Sequence, residues 1–180
     1  LVSNQNMAWA DKNIGMYMHD RFGISMSFVL DSDHRLVYSM VNGKWADKNP
    51  LDLFSGGLDG ILKTTRDQAK TEPPVPATGF LKNGETVHIV AASILTKFKK
   101  EGHVGNAEAI ATGWTLIFSK AFDAKLVDDL SKNYLLDNLR LVSTKSELLS
   151  AFVPLRASSG EILGYLTWQA RSPSESMAPS

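Results

Sequence analysis

The sequence predicts an α+β domain: an antiparallel sheet of five to six strands, a long N-terminal helix and two shorter helices. Three observations carry this. The stretch Thr86–Leu95, TVHIVAASIL, is the longest run of β-formers and reads as an interior strand. Several other short segments alternate apolar and polar residues with period two, separated by hairpin-type turns. Helical spacing appears in three places, once before the first hairpin and twice between strands. Within the central strand, Val87, Ile89, Ala91, Ser93 and Leu95 point one way. Thr86, His88, Val90, Ala92 and Ile94 point the other, and the small residues leave room that a helix or a ligand must fill.

Taken in order, residues 4–22 form the first helix, with Met7, Ala10, Ile14, Tyr17 and Met18 on one side and a ridge of Trp9, Asn13 and Tyr17 beside it. Gly23 ends it. Ile24–Leu30 is a half-buried strand, Asp31–His34 a turn of short polar residues, and Leu36–Val41 the returning strand. Asn42-Gly43 turns again, and Trp45 falls in the loop that follows. Asn49-Pro50 caps a second helix whose apolar face is Leu51, Phe54, Leu58, Ile61 and Leu62; Gly56-Gly57 shortens or kinks it. Glu72–Pro76 is a stiff connector. Asn83-Gly84 marks the hairpin into the central strand. Thr96–Gly113, with Lys97, Lys99 and Lys100, reads as a solvated loop or tip. Trp114–Ser119 alternates, Asp123 caps a helix carrying Leu126, Val127, Leu130 and Tyr134, and Leu139–Ser143, Ser150–Leu155 and Ile162–Gln169 are the last strands. Pro154 puts its strand at an edge. Residues 1–171 form one domain and 172–180 a Ser/Pro-rich linker or tail. A long helix running into such a sheet suggests a PAS-like architecture.

Composition narrows the function. The 180 residues are 43% hydrophobic and 21% charged, with a net charge of zero, which gives no electrostatic reason to expect nucleic acid. The absence of cysteine removes disulfides, thiolate nucleophiles and Cys-bound metals. No apolar run has the ~18–20 residues of a membrane helix. The chain opens on Leu1 rather than Met, as a piece of a longer protein would.

The chemistry-bearing residues are scattered. His19, His34, His88 and His103 lie in four segments, none with a metal-ligand partner at i+3 or i+4. No serine has the Gly-x-Ser-x-Gly setting. Asp128-Asp129 lie between Lys125 and Lys132 on a solvated helix face. His88 stands apart on the central strand, either as a satisfied core histidine or as a hydrogen-bonding, pH-sensing group in a pocket.

Several segments together resemble a known family. Asn6–Asp11 (NMAWAD) with Tyr17 resembles the N-terminal signature of the fourth class of CHASE sensor domains. Phe28–Asp31 and Val37–Ser39 resemble its first hairpin, His88–Ile94 its central strand, Gly113–Phe118 with Ala121–Asp123 its Gly-led strand and following helix, and Gly164–Trp168 its closing strand. Asp33-His34 stands where the family usually has Gly, and Asp and His reach the left-handed region more readily than most residues. Ala10 stands where a second acidic or aromatic residue is frequent.

The resemblance implies an extracytoplasmic domain, on the periplasmic side of the bacterial inner membrane between two membrane helices. Such domains feed a diguanylate cyclase, phosphodiesterase or histidine kinase module, with cyclic di-GMP signalling the expected output. It implies a small-molecule sensor without catalysis, cofactor or metal of its own, with membrane contact only through flanking segments. The expected ligand site lies over the sheet, walled by Tyr38, His88, Ala92 and Trp114, with Trp9 and Asn13 from the helix. The expected partners are that small molecule and a second copy, paired through the N-terminal helix. Two rival readings stay open: a ligand-free dimer spacer, and a small hydrolase with a nucleophile beside His88 or another histidine.

Overall fold

In the computed structural model of the chain, residues 11–70, 75–97 and 110–172 are described. The first turns of the expected N-terminal helix with Trp9, the connector at 71–74, the lysine-rich tip at 98–109 and the tail from 173 lie outside the described residues.

The described chain opens with a π-type turn, Asp11–Gly15, running into helix α1, Met16–Phe22. Gly23 ends α1 in the left-handed conformation at φ 65°. Strands β1 (Met26–Leu30) and β2 (Leu36–Val41) form the first hairpin. Its turn is held by Asp31, whose Oδ1 accepts from Asp33 N at 2.8 Å and Arg35 N at 2.9 Å. His34 takes the left-handed position at φ 60°. Asn42 and Gly43 both have positive φ, which twists the chain into a tight turn and a short strand β3, Lys44–Trp45, where the sequence suggested loop.

Asn49 caps α2 (Pro50–Leu53), its side chain accepting from Leu51 N at 3.0 Å. The expected kinked helix is two helices. Phe54 is extended, Ser55 bridges to Lys82, and Gly56 and Gly57 sit at φ 107° and 96° before α3, Leu58–Gln68, begins. A side chain at Gly56 would meet Ala157, and one at Gly57 would meet Ser159 N at 3.0 Å. The glycines are therefore the seat of the later Ala157–Gly160 turn, whose Ser159 N donates to Gly56 O.

Strands β4 (Ala77–Asn83), β5 (Thr86–Lys97) and β6 (Ile110–Ala121) complete the main sheet. The hairpin turn falls one residue later than Asn-Gly suggests, because Asn83 still pairs with Thr86. The expected loop at 96–113 is partly strand: Thr96 pairs with Ala111 and Lys97 with Ile110 past a bulge. The sheet is antiparallel, in the order β3-β2-β1-β6-β5-β4, so β5 is interior as expected.

Asp123 caps α4, Ala124–Tyr134, accepting from Leu126 N at 2.8 Å. The last strands do not join the main sheet. β7 (Asp137–Val142), β8 (Ala151–Arg156) and β9 (Ile162–Gln169) make a separate three-stranded sheet in the order β7-β9-β8, with Pro154 on the edge strand β8. A capping box at Thr144 and Glu147 starts the short 3-10 turn between β7 and β8.

Pairing register assigns side chains to faces. On the face under α2 and α3 lie Phe28, Leu30, Ile117, Val90, Ala92 and Leu81, packed against Phe54, Leu58, Ile61 and Leu62. On the other face lie Val29, Tyr38 and Met40, with Leu95 and Leu116 against them. A third cluster joins Val87 and Phe122 to Leu155, Ala157 and Leu163, with Leu126, Val127 and Leu130 of α4 packed on it; it couples the small sheet to the end of the large one.

Candidate ligand cleft

The structure separates the residues expected to wall one pocket. Tyr38 pairs in register with Val29, and Val29 with Leu116, so all three share the face away from α3. Tyr38 is buried there beneath Gly15, whose missing side chain lets the Tyr38 hydroxyl and Met40 Sδ close in. Its hydroxyl donates to Met40 Sδ at 3.9 Å and its ring meets Trp45 edge-on at 5.5 Å. Trp114 lies beside Leu116 in β6 and is exposed. Asn13 sits in the π-type turn, and Trp9 lies outside the described residues.

His88 and Ala92 lie on the opposite face, under the helices. The room above Ala92 holds Thr65, whose hydroxyl donates to Ile61 O at 2.8 Å and approaches Ala92 O at 3.5 Å. His88 packs edge-on against Phe54, ring centroids 5.4 Å apart, and its Nδ1 shares a hydrogen bond of 3.3 Å with Ser119 Oγ. Burial pushes the His88 pKa below its ordinary 6.5, because the charged ring would lose its water. This pair has the atoms of a nucleophile and a base, but Ser119 is 1% exposed. A hydroxyl sealed in the sheet reaches no substrate, so the contact is a core hydrogen bond.

The same strand row continues past Ala92 to Ile94, and there α3 stops. Where the helix ends, a cleft of about 420 Å³ opens, lined by Ser32, Arg66, Ala69, Lys70, Ile94 and Gly113. Each wall has a local cause. The Asp31 turn presents Ser32 and His34. Gly113, at φ 76°, lets β6 pass close by: a side chain there would stand 3.1 Å from Ser32 Cβ. Thr65, next to Arg66 in the last full turn of α3, lies against Ala92 O of the strand below.

Arg66 Nη2 donates to Ser32 O at 3.1 Å and to His34 Nε2 at 2.7 Å. A guanidinium cannot accept, so His34 Nε2 is the acceptor and the ring is neutral, with its proton on Nδ1. Burial and then the Arg66 charge lower the His34 pKa, while Asp31 and Asp33 act the other way. Among the described residues, no carboxylate stands within ion-pair distance of Arg66 or Lys70; the ion pairs are Lys132–Asp128 and Arg171–Asp137.

Other hollows lie elsewhere among the described residues, including a polar one of about 630 Å³ lined by Ser131, Asp137, Asn138, Gln169 and Arg171. One of about 330 Å³ runs along β2 beside Tyr38 and Trp45, and a polar one of about 460 Å³ separates the end of α1 from α4. Among the described residues, no group of three or more His, Cys, Asp or Glu converges as metal ligands would. No helix of the described residues is long and apolar enough to cross a membrane.

Sequence reasoning read the Asp31–His34 turn but did not bring it together with Arg66 as the lining of a cleft. The local signal was visible, since Arg66 and Lys70 are four residues apart at the end of a helix. That they face the first hairpin turn is a tertiary fact that no spacing encodes.

No curated protein matches the chain. The CHASE4 domain matches residues 1–142, from the first residue through the last of β7, leaving β8 and β9 beyond the match. With more than half of its length matched, the chain belongs to the CHASE4 domain family of extracellular sensor domains.

Proposed function

We propose that this chain is the small-molecule sensing module of a bacterial transmembrane signalling protein, held on the periplasmic side of the inner membrane. The observation that carries this reading is the CHASE4 match together with a cleft that opens where α3 ends on the sheet. Supporting a PAS-like platform are the order β2-β1-β6-β5-β4 and the helices inserted between β2 and β4 that cover one face. Residues 1–171 act as one unit in this reading, with the small sheet coupled to the large one through the Val87–Phe122–Leu155 cluster.

The ligand occupies the Arg66 cleft. Tyr38 and Trp114, on the other face, belong with the N-terminal helix and its partner rather than with the ligand. A homodimer through that helix is supported by Met16, Tyr17 and Phe22, which α1 leaves exposed. Binding matters by favouring one arrangement of the paired helices over another. The output is a cyclase, phosphodiesterase or kinase module in the parent protein.

The test is thermal unfolding of the chain against panels of amino acids, carboxylates and polyamines. A ligand at a hundredfold its Kd stabilises by about 2.7 kcal/mol. A panel that moves no midpoint, with the chain folded and dimeric by sedimentation, favours the ligand-free spacer instead.

A further inference from the structure

We infer that the Arg66 cleft takes a small carboxylate with an aliphatic or aromatic body; this rests on the sensor reading above and names its ligand class. Charge, shape and donor count point the same way. Arg66 is oriented before any ligand arrives, because Ser32 O and His34 Nε2 occupy both hydrogens of Nη2. Neither acceptor carries a formal charge, so the guanidinium keeps its full positive charge. Nη1 and Nε retain three N–H donors with no acceptor among the described residues. Lys70 adds an ammonium on the same lining. A guanidinium held by neutral acceptors and left without a carboxylate partner among the described residues is matched by an anion from outside.

The rest of the lining decides which anion. Ala69, Ile94 and the bare backbone of Gly113 give apolar surface beside the cations. A fully hydrated dianion such as phosphate leaves that surface uncovered. A carboxylate on an apolar body places one end on Arg66 and Lys70 and the other against Ile94. The volume of about 420 Å³ falls within the range used for small ligands. Of the neighbouring acids, Asp31 is engaged with the backbone N–H groups of its own turn. Asp31 and Asp33, whose charges both act on His34, put negative charge on the turn side and disfavour ligands with a second carboxylate near the turn.

The experiment uses matched probes on the whole chain. Aliphatic and aromatic monocarboxylates and α-amino acids are compared with the corresponding amines and alcohols, with sodium phosphate, and with phosphatidylglycerol vesicles, by calorimetry and thermal shift. The expected result is binding by carboxylates alone, weakened about ten- to a hundredfold by Arg66→Met, the loss of one charged hydrogen-bond partner. Arg66→Lys is expected to recover part of it, and His34→Asn, which keeps the left-handed turn, to weaken binding less than Arg66→Met. Arg66 is exposed, so Arg66→Met is expected to fold, and unchanged unfolding without ligand checks this. Carboxylate binding that is indifferent to Arg66→Met overturns the site. Binding by amines or alcohols only overturns the ligand class and leaves the sensor reading standing. Equal binding of phosphate or vesicles overturns the carboxylate assignment. Silence from every probe counts against the ligand class and the sensor reading together.

Discussion

The two faces of the six-stranded sheet are built from one set of strands and end up very different. Adjacent residues of β6 make the contrast: Ile117 is fully buried under α3, while Leu116, one residue earlier, is half-buried on the other side. On the helix face the row of β5 runs His88, Val90, Ala92, Ile94, all buried. On the far face Ile89, Ala91, Ser93 and Leu95 are each half-buried. Small side chains do not by themselves mean vacancy. Ala92 is small because Thr65 of α3 comes down onto it, and the vacancy lies one step along, where the helix has ended.

The largest effect that tests this contrast is a pair of truncations. Ile117→Ala is expected to cost about 2–5 kcal/mol in urea unfolding. Leu116→Ala is expected to cost roughly 1 kcal/mol, the share of a half-buried leucine. Equal losses break the comparison. Next, Gly15→Val drives a side chain into Tyr38 and Met40 on the far face. It is expected to destabilise by about 1–3 kcal/mol, the usual result of overpacking. It should also displace α1, read as a change in Tyr17 and Trp45 fluorescence, without loosening the Ile117 side. Smaller again is Thr65→Val, which keeps the shape under α3 but removes the hydroxyl bonded to Ile61 O; about 1 kcal/mol is expected. A neutral result places the seal in shape alone.

The smallest is a pH effect. His88 and His34 both have pKa values held below 6.5, so the unfolded chain takes protons first as pH falls. Their contribution to stability is complete above about pH 6.5 and declines as pH falls through the lowered folded values. His88→Gln, which can still meet Ser119 but does not titrate, is expected to flatten part of that decline in midpoints measured from pH 8 to 5. His34→Asn is expected to remove a further, smaller part. An unchanged profile in His88→Gln removes His88 from the account.

Much of the fold was legible in the sequence because its signals are local. The Leu36–Val41 and Ile162–Gln169 strands cover the residues expected to return after polar turns, Asn49 and Asp123 are caps by type and position, and Gly56-Gly57 interrupts a helix as two adjacent glycines should. The Ile24–Leu30 alternation suggested a half-buried strand, yet Met26–Leu30 is buried throughout, Ser27 included. Alternation reports composition on two faces; here both faces are covered, and the serine side is covered too. The separate second sheet was not legible, since β7, β8 and β9 alternate like any other strands and only their partners distinguish them. The site was least legible. Tyr38 and His88 looked alike as polar residues on strands, and only register puts them on opposite faces.

Helix α3 has a consequence beyond covering the sheet. Its eleven residues span about 16 Å. Its first turn leaves from the glycine pair that seats Ala157 and Ser159, and its last turn carries Arg66. One rod thus has the small sheet bolted at one tip and a guanidinium at the other. If the anion proposed above tilts the rod, the bolt is the joint through which the strands that run towards the C-terminus would feel it.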